Sequence, residues 1–264
     1  MRFELKQEHF PPPDGALLYA RIPWDSELFG FPFYELLCGE TPPEKIQNHL
    51  RTWLAALPPG GPCLAFARLS PQDVALGRVL TNAGFYPVET TLSFKMPFRR
   101  FTPVMRRAAV ANMVFRRAEE ADLPFVVDIA RHAFAADRFH LDSNLPPGPA
   151  DERYARWVER GFRAGELVYL MQDERNGRIM TFIHGRALSS AALEMSLGAV
   201  VRDSQNSGIG VATYQFMLAE CKTLGFKTVE TVASINNMNI LKLLLRLGYM
   251  LENARMTYHW YRPA

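Results

Sequence analysis

The segment Gln205-Asn206-Ser207-Gly208-Ile209-Gly210-Val211-Ala212 constrains the fold of this chain more than any other. An apolar run ending at Val200-Val201 leads into it, and a helical pattern leads out. A strand that enters a helix through such a loop leaves several backbone N–H groups without intrahelical acceptors. Glycine at 208 and 210 keeps Cβ atoms out of the way of an approaching ligand. With the positive end of the helix dipole added, the loop is expected to hold a pyrophosphate. The spacing Q-x-x-G-x-G-x-A is neither the dinucleotide pattern G-x-G-x-x-G nor the P-loop. Ordinary strand-to-helix turns share so short a glycine pattern, and a second signal is needed.

That signal is Ser234-Ile235-Asn236-Asn237 followed by Ile240-Leu241-Lys242-Leu243-Leu244-Leu245-Arg246-Leu247-Gly248-Tyr249. Ile240, Leu243, Leu244 and Leu247 fall at i, i+3, i+4 and i+7, one face of a helix. Gly248 is placed to stop that helix in a left-handed conformation. A core helix with a glycine cap accounts for the leucines on its own. The order and distance of the two motifs, with Asn237 eleven positions before Gly248, resemble the GCN5-related N-acetyltransferases, the GNAT superfamily. The resemblance implies acetyl-CoA as cosubstrate. It implies CoA contacts from Leu197, Ala199 and Val200 of the strand, from Gln205, Asn206, Ser207, Gly208, Ile209, Gly210 and Val211 of the loop, and from Asn237.

A stretch near the N-terminus repeats the second motif. Leu76–Lys95 (LGRVLTNAGFYPVETTLSFK) registers on Ile240–His259 (ILKLLLRLGYMLENARMTYH) with Gly84 on Gly248, Leu80 on Leu244, Phe85 on Tyr249 and Phe94 on Tyr258. The first copy lacks a preceding Q-x-x-G-x-G. The expected organisation is a partial GNAT-like domain over 1–96, a linker over 97–112 rich in arginine and proline, and a complete GNAT domain over 113–264. Chance similarity of two helix–glycine–strand units is the competing explanation.

In the C-terminal part, Met113–Arg117 reads as a strand, Glu119–Phe134 and Asp151–Phe162 as helices. Glu166–Gln172, Arg178–Leu188 and Ala191–Val201 read as strands joined by turns at Asn176-Gly177 and Ser189-Ser190. A helix over Gly208–Leu224 capped by Gly225, a strand over Lys227–Val232, the second motif and two final strands complete it. This order gives an α+β fold, a mixed and mostly antiparallel sheet with helices on both faces.

Net charge is only +3 on 264 residues, which argues against nucleic acid as a partner. Clustered Arg99, Arg100, Arg106, Arg107, Arg116 and Arg117 are suited to gripping phosphates, but a solvated basic linker is the expected reading. Cys38, Cys63 and Cys221 are odd in number and scattered, so no disulfide framework is expected. No apolar run approaches the roughly 20 residues that span a bilayer, and Met1–Phe10 lacks the apolar segment of a signal peptide. The expected location is the cytoplasm. His9, His49, His132, His184 and His259 show no metal-ligand spacing, and no metal is expected.

Acetyl transfer from a thioester to an amine requires a base, a stabilised oxyanion and a quenched thiolate. Glu194 is the candidate base, eleven residues before Gln205, where the resemblance places a base glutamate. A charged residue at a strand end facing water is the alternative. Alternation puts Glu194, Ser196, Gly198 and Val200 on one face. By resemblance, main-chain N–H near Leu197 or Gly198 meets the oxyanion. The family's acid tyrosine, four residues before the Gly of the second motif, is here Leu244, which has no proton to give. Tyr249 or Tyr258 substitutes, solvent protonates the departing thiolate, whose thiol has a pKa of about 8.5, or the protein binds acyl-CoA without efficient turnover.

Four further segments resemble the dTDP-fucosamine acetyltransferases within this superfamily: Ile22-Pro23-Trp24-Asp25-Ser26-Glu27-Leu28-Phe29-Gly30, Ala83–Glu89, Ala133–His140 and Tyr154–Val158. The resemblance implies a nucleotide-linked 4-amino-6-deoxy sugar as acceptor, with Arg138, Phe139, His140, Tyr154 and Trp157 near it. Aromatic rings suit thymine or a sugar face, and arginine suits a diphosphate. Core packing is the alternative for Phe139, Tyr154 and Trp157, and a surface position for His140. The expected partner is thus a small-molecule amine, without nucleic acid or membrane, and with homodimerisation left open. Another amine, such as an amino acid, polyamine or protein, and a non-catalytic acyl-CoA binder are the competing functions.

Overall fold

The computed structural model describes residues 7–10, 17–38, 42–102, 110–205 and 207–264. Packing divides the chain into two units: Met1–Thr91, Asp137–Pro149 and Ala254–Ala264 form one, Leu92–Ala136 and Ala150–Asn253 the other. These units follow packing, whereas the sequence division into 1–96, 97–112 and 113–264 follows chain order. Much of the expected linker, including Arg106 and Arg107, lies outside the described residues, as does Asn206.

In the first unit the elements run β1 (Gln7–Phe10), β2 (Leu17–Arg21), α1 (Pro23–Phe29), β3 (Phe33–Leu37), α2 (Pro43–Ala56), β4 (Cys63–Leu69), α3 (Val74–Asn82) and the start of β5 (Tyr86–Pro97). Strands β1 to β3 pair antiparallel and β3 pairs parallel with β4. Side-chain alternation sends Tyr34, Leu36, Ala65, Ala67 and Leu69 to one face, against Ile46, Leu50 and Trp53 of α2 and Leu76 and Leu80 of α3. The opposite face is aromatic. Phe33 packs with Phe29, 4.9 Å between centroids, and with Phe139 at 6.4 Å.

The second unit takes the end of β5, then β6 (Met113–Arg117) and α4 (Leu123–Ala133). The short α5 (Arg138–Leu141) belongs to the first unit. There follow α6 (Pro147–Arg163), β7 (Leu167–Asp173), β8 (Ile179–Ala187), β9 (Ala192–Val200), α7 (Ile209–Thr223), β10 (Thr228–Ser234), α8 (Met238–Arg246) and β11 (Met250–Arg262). The order across this unit's sheet is β5-β10-β9-β8-β7-β6. Pairs from β6 to β9 are antiparallel and β9–β10 is parallel. Tyr214, Met217 and Leu218 of α7 and Leu241 and Leu244 of α8 pack on one face. Val126 and Ala130 of α4 and Tyr154 and Val158 of α6 pack on the other.

Two expectations change. The helix expected over 119–134 opens as a 3-10 turn at Glu120–Asp122 with a capping box, and α4 begins at Leu123 with Pro124 in its first turn. The two final strands are one 13-residue strand, β11. Glu252-Asn253 carries no glycine or proline to force a turn and stays extended and exposed. From Met256 to Arg262, β11 pairs antiparallel with β4 within the first unit.

The repeat is present in the backbone and extends further than the sequence suggested. Strand–helix–strand–helix–strand occurs as β3-α2-β4-α3-β5 and as β9-α7-β10-α8-β11, each with its first two strands parallel. The second helices end identically. Gly84 and Gly248 have φ of 91° and 88°, and the N–H groups of Phe85 and Tyr249 donate to Leu80 O and Leu244 O, each at 3.0 Å. This is the two-bond closure that a left-handed glycine permits. The copies differ at the first helix start. Helix α2 begins with Pro42 at the cap and Pro43 in its first turn, and neither has an N–H to offer. The first copy therefore lacks the donor loop of the second.

Candidate active site

Strands β9 and β10 run together from Ala192↔Thr228 to Met195↔Thr231 and then part. Thr231 Oγ1 donates to Met195 O at 2.8 Å at the last rung. Beyond it, residues 196–200 of β9 have no strand on that side among the described residues. Val201 N–H donates to Met180 O on β8. By alternation along an extended strand, the N–H groups of Gly198 and Val200 point the other way, into the opening. Those of Leu197 and Ala199 point to β8, and their side chains are buried under α4 and α6.

A bulge changes the face expected for Glu194. The β8–β9 register moves from His184↔Leu197 to Gly185↔Met195, which leaves Ser196 as an extra residue. Leu193 and Met195 therefore face α7, whereas Leu197 and Ala199 face α4 and α6. Glu194 and Ser196 share the α4/α6 face, with Ser196 Oγ 3.5 Å from Glu194 Oε2. Gly198 and Val200 lie on the α7 face. The common face expected for all four does not exist, because simple alternation assumes no insertion.

The loop delivers the donors expected of it. Gly208, with φ of 90°, caps α7, and the N–H groups from Gly208 to Val211 have no intrahelical acceptor. Ser207 Oγ accepts from Ile209 N–H at 3.4 Å. Gln205 and Ser207 are exposed, whereas Ile209 is buried and anchors the turn. A Cβ on Gly210 would stand 3.1 Å from Val200 Cγ2, so that glycine serves the seating of α7 on β9. Asn237 caps α8, its Oδ1 accepting from Ile240 N–H at 3.2 Å, and its Nδ2 has no partner among the described residues.

Glu194 is not alone on its face. Arg186, directly opposite on β8, donates to Glu194 Oε2 at 2.7 Å. Glu194 Oε1 has no partner among the described residues. Sequence reasoning missed Arg186: a two-residue turn at Ser189-Ser190 would set 186 against 193, whereas the loop spans Ser189–Ala191 and sets 186 against 194. Nearby on the same strand, fully buried His184 donates from Nε2 to Glu166 Oε2 at 2.7 Å. That bond, despite burial, holds the Glu166 carboxyl below its ordinary value. His184 Nδ1 and Arg186 Nε are buried without a hydrogen-bond partner among the described residues. Gly161 of α6 lies over the His184–Glu166 pair, where a Cβ would come 2.4 Å from His184 Nε2 and 2.6 Å from Glu166 Oε2. Gly→Ala inside a helix ordinarily stabilises by about 1 kcal/mol. Gly161→Ala should instead destabilise by about 2 kcal/mol, through overpacking and the displaced hydrogen bond. An unchanged or raised urea midpoint would show that the pair is not held against α6.

Leu244 is fully buried in the core beside Tyr249. Tyr249 is also buried, and its hydroxyl lies 3.5 Å from Met195 Sδ. Tyr258 belongs to the first unit, where its hydroxyl stands 3.1 Å from the place a Cβ on Gly77 would take. A third tyrosine escaped notice because it sits mid-helix in an apolar pattern. Tyr214 of α7 is 9% exposed, and its hydroxyl has no hydrogen-bond partner among the described residues. It lies 3.4 Å from the position of a Cβ on Gly198, beside the opening of the strands.

The residues expected near an acceptor divide between the units. Arg138 is 5% exposed, and its guanidinium lies 3.9 Å from the Phe66 ring centre and 4.3 Å from that of Phe139. It reaches His259 Nε2 at 3.2 Å and Asp25 at 3.9 Å. Phe139 stacks on Phe29 at 5.7 Å. Both are core residues of the first unit, and neither is an open clamp for a diphosphate. His140 Nδ1 pairs with Asp137 Oδ2 at 2.6 Å, within its own turn. Tyr154 is buried in the second unit and stacks on Phe134 at 4.3 Å and on Trp157 at 6.4 Å. Trp157 stays half-buried with Arg153 at 5.4 Å over its ring. No cluster of three His, Cys, Asp or Glu able to hold a metal occurs among the described residues, and no described helix is long and apolar enough to cross a membrane.

No protein-family profile matches the chain. Over 195 residues it is 21% identical to SpsD, a spore coat polysaccharide biosynthesis protein of Bacillus subtilis, covering 74% of this chain and 65% of that protein's length. A GCN5-related N-acetyltransferase from Sphaerobacter thermophilus superposes with a TM-score of 0.71 at 14% identity, over 96% of this chain and 79% of its own. A tandem GNAT protein from the clavulanic acid biosynthesis pathway gives 0.58 at 13% identity, over 88% and 76%. With the parted parallel strands, the donor loop and the repeated backbone unit, these likenesses settle the architecture: the chain has the GNAT fold, a complete copy preceded by a partial one.

Proposed function

We propose that the chain is an acetyl-CoA-dependent N-acetyltransferase acting on a small amine, with a nucleotide-linked 4-amino-6-deoxy sugar as the first acceptor to test. The observation that carries this is the alignment of donors around β9. The start of α7 offers N–H groups to a pyrophosphate, and Val200 and Gly198 offer theirs along the opening. A CoA diphosphate at Gly208 leaves its arm running back along β9, bringing the thioester carbonyl toward Gly198 N–H. Donors fixed by the fold need no reorganisation when the oxyanion forms. The name of SpsD, a polysaccharide biosynthesis protein, favours a sugar amine. Trp157 with Arg153 on the α4/α6 face offers a ring and a cation to such an acceptor.

Glu194 takes the amine proton through Oε1 while Arg186 holds Oε2 and fixes the carboxylate's orientation. Glu194→Gln should lower kcat about 10²-fold and leave acetyl-CoA affinity within twofold in a calorimetric titration. Equal rates in parent and variant would remove Glu194 from the mechanism. One observation favours a second reading, a non-catalytic acyl-CoA binder: the acid position holds a core leucine. Release of CoA thiol on mixing with acetyl-CoA and amino-sugar nucleotides decides between the two. Binding without release for any amine would make it a binder.

A further inference from the structure

We propose that Tyr214 donates the hydrogen bond that carries the charge of the departing CoA thiolate, in place of the acid absent at Leu244; this rests on the acyl-CoA reading above. Among the tyrosines considered, Leu244's neighbour Tyr249 has its hydroxyl against Met195 Sδ, and Tyr258 belongs to the first unit. Tyr214 has a hydroxyl with no hydrogen-bond partner among the described residues and lies on the α7 side of β9 at Gly198. Burial in the core raises its pKa, so the hydroxyl keeps its proton at neutral pH. Gly198 is the reason it can reach the opening. A side chain there would stand between the hydroxyl and the gap, its Cβ already 3.4 Å from Oη.

The bulge at Ser196 gives this placement its chemical sense. It turns Glu194 to the α4/α6 face and Gly198 to the α7 face, so base and hydroxyl lie on opposite sides of the strand that holds the thioester. The amine nitrogen attacks the carbonyl carbon and gives its proton to Glu194 as the C–N bond forms. The C–S bond breaks with its electron pair on sulfur, and the Tyr214 O–H···S⁻ bond shares that charge. CoA takes a proton from water as it leaves, and Glu194 returns its own to water.

The test uses CoA and desulfo-CoA, which lacks the sulfur, titrated calorimetrically at pH 9.5, above a thiol pKa of about 8.5. The parent should bind CoA about tenfold tighter than the sulfur-free form, as a hydrogen bond to a charged group allows. Tyr214→Phe should lose that preference while its affinity for desulfo-CoA stays within twofold, which also shows that the loop is intact. Gly198→Val, which keeps the hydroxyl and blocks its route, should lose the same preference. A preference retained in Tyr214→Phe overturns the proposal, as does weakening toward both ligands alike, which marks a packing role. A parent that binds both forms equally overturns it while the acyl-CoA reading stands. A parent that binds neither overturns that reading as well.

Discussion

Replacing Gly208 and Gly210 together by aspartate is expected to weaken acetyl-CoA binding by about 10³-fold, with the fold retained. Three effects act in the same direction. Gly208 has φ of 90°, and a residue with a Cβ in a left-handed conformation costs about 1–2 kcal/mol. A Cβ at 210 meets Val200 Cγ2 at 3.1 Å, and forced repacking costs about 1 kcal/mol or more. Two carboxylates then stand where a pyrophosphate would lie, each opposing it by about 1 kcal/mol beyond losing the helix-end attraction. Together these come to about 4 kcal/mol, or roughly 10³-fold in Kd. Because Gly208 and Ser207 are exposed, the loop relaxes out of the strained conformation when no ligand is bound, so the first two costs are met on binding. The melting temperature should therefore move by only a few degrees. Micromolar acetyl-CoA binding that survives the double substitution would show that this loop does not hold the diphosphate.

The parts of this site that were legible in sequence are those fixed by local rules. A glycine pair between an apolar run and a helical pattern announced the donor loop, because only a few chain geometries need glycine at such positions. The i, i+3, i+4, i+7 pattern of Ile240, Leu243, Leu244 and Leu247, with Gly248, announced α8 and its end. Leu244 is buried and the other three half-buried, and Leu241, outside that pattern, is the second buried residue. The parallel pairing of β9 and β10 also follows locally, since a helix joins them. What stayed hidden depends on insertions and on distance along the chain. One extra residue at Ser196 inverts the face of everything after it, and nothing in the composition of Glu194–Val200 marks it. The Tyr214 hydroxyl acquires meaning only from Gly198, a strand away. Arg138 read as an open phosphate clamp because its partners Asp25, Glu89 and His259 are up to 121 residues distant. A charged residue in a polar segment looks solvated until the fold surrounds it.

That buried group of charges sets the second large effect: Asp142→Ala should cost the first unit about 3–5 kcal/mol, the usual result of removing one partner from a buried ion pair or network. Asp142 is 4% exposed and His259 is fully buried. Asp142 Oδ2 accepts from His259 Nδ1–H at 2.7 Å and from Tyr86 at 2.9 Å, and Oδ1 accepts from Asn144 N–H at 3.0 Å. Burial pushes the Asp142 carboxyl up, but these hydrogen bonds outweigh it and leave it below its ordinary value. Its contribution is present above the ordinary carboxylate range and is lost as pH falls through the lowered native value. His259 acts at higher pH. Burial pushes it down to about 4, against the pull of Asp142 and with the help of Arg138. The native ring is therefore neutral, with Nε2 accepting from Arg138 Nη1. An unfolded histidine titrates near 6.5, so between pH 6.5 and 4 the unfolded chain binds a proton that the native one refuses. Stability from this group is complete above pH 6.5 and falls by roughly 3 kcal/mol as pH drops toward 4. Urea midpoints measured at pH 7, 5.5 and 4.5 should decline for the parent, and His259→Gln should flatten that decline. A slope unchanged by the substitution would mean that the acid sensitivity comes from other groups and that His259 is not held neutral in the core.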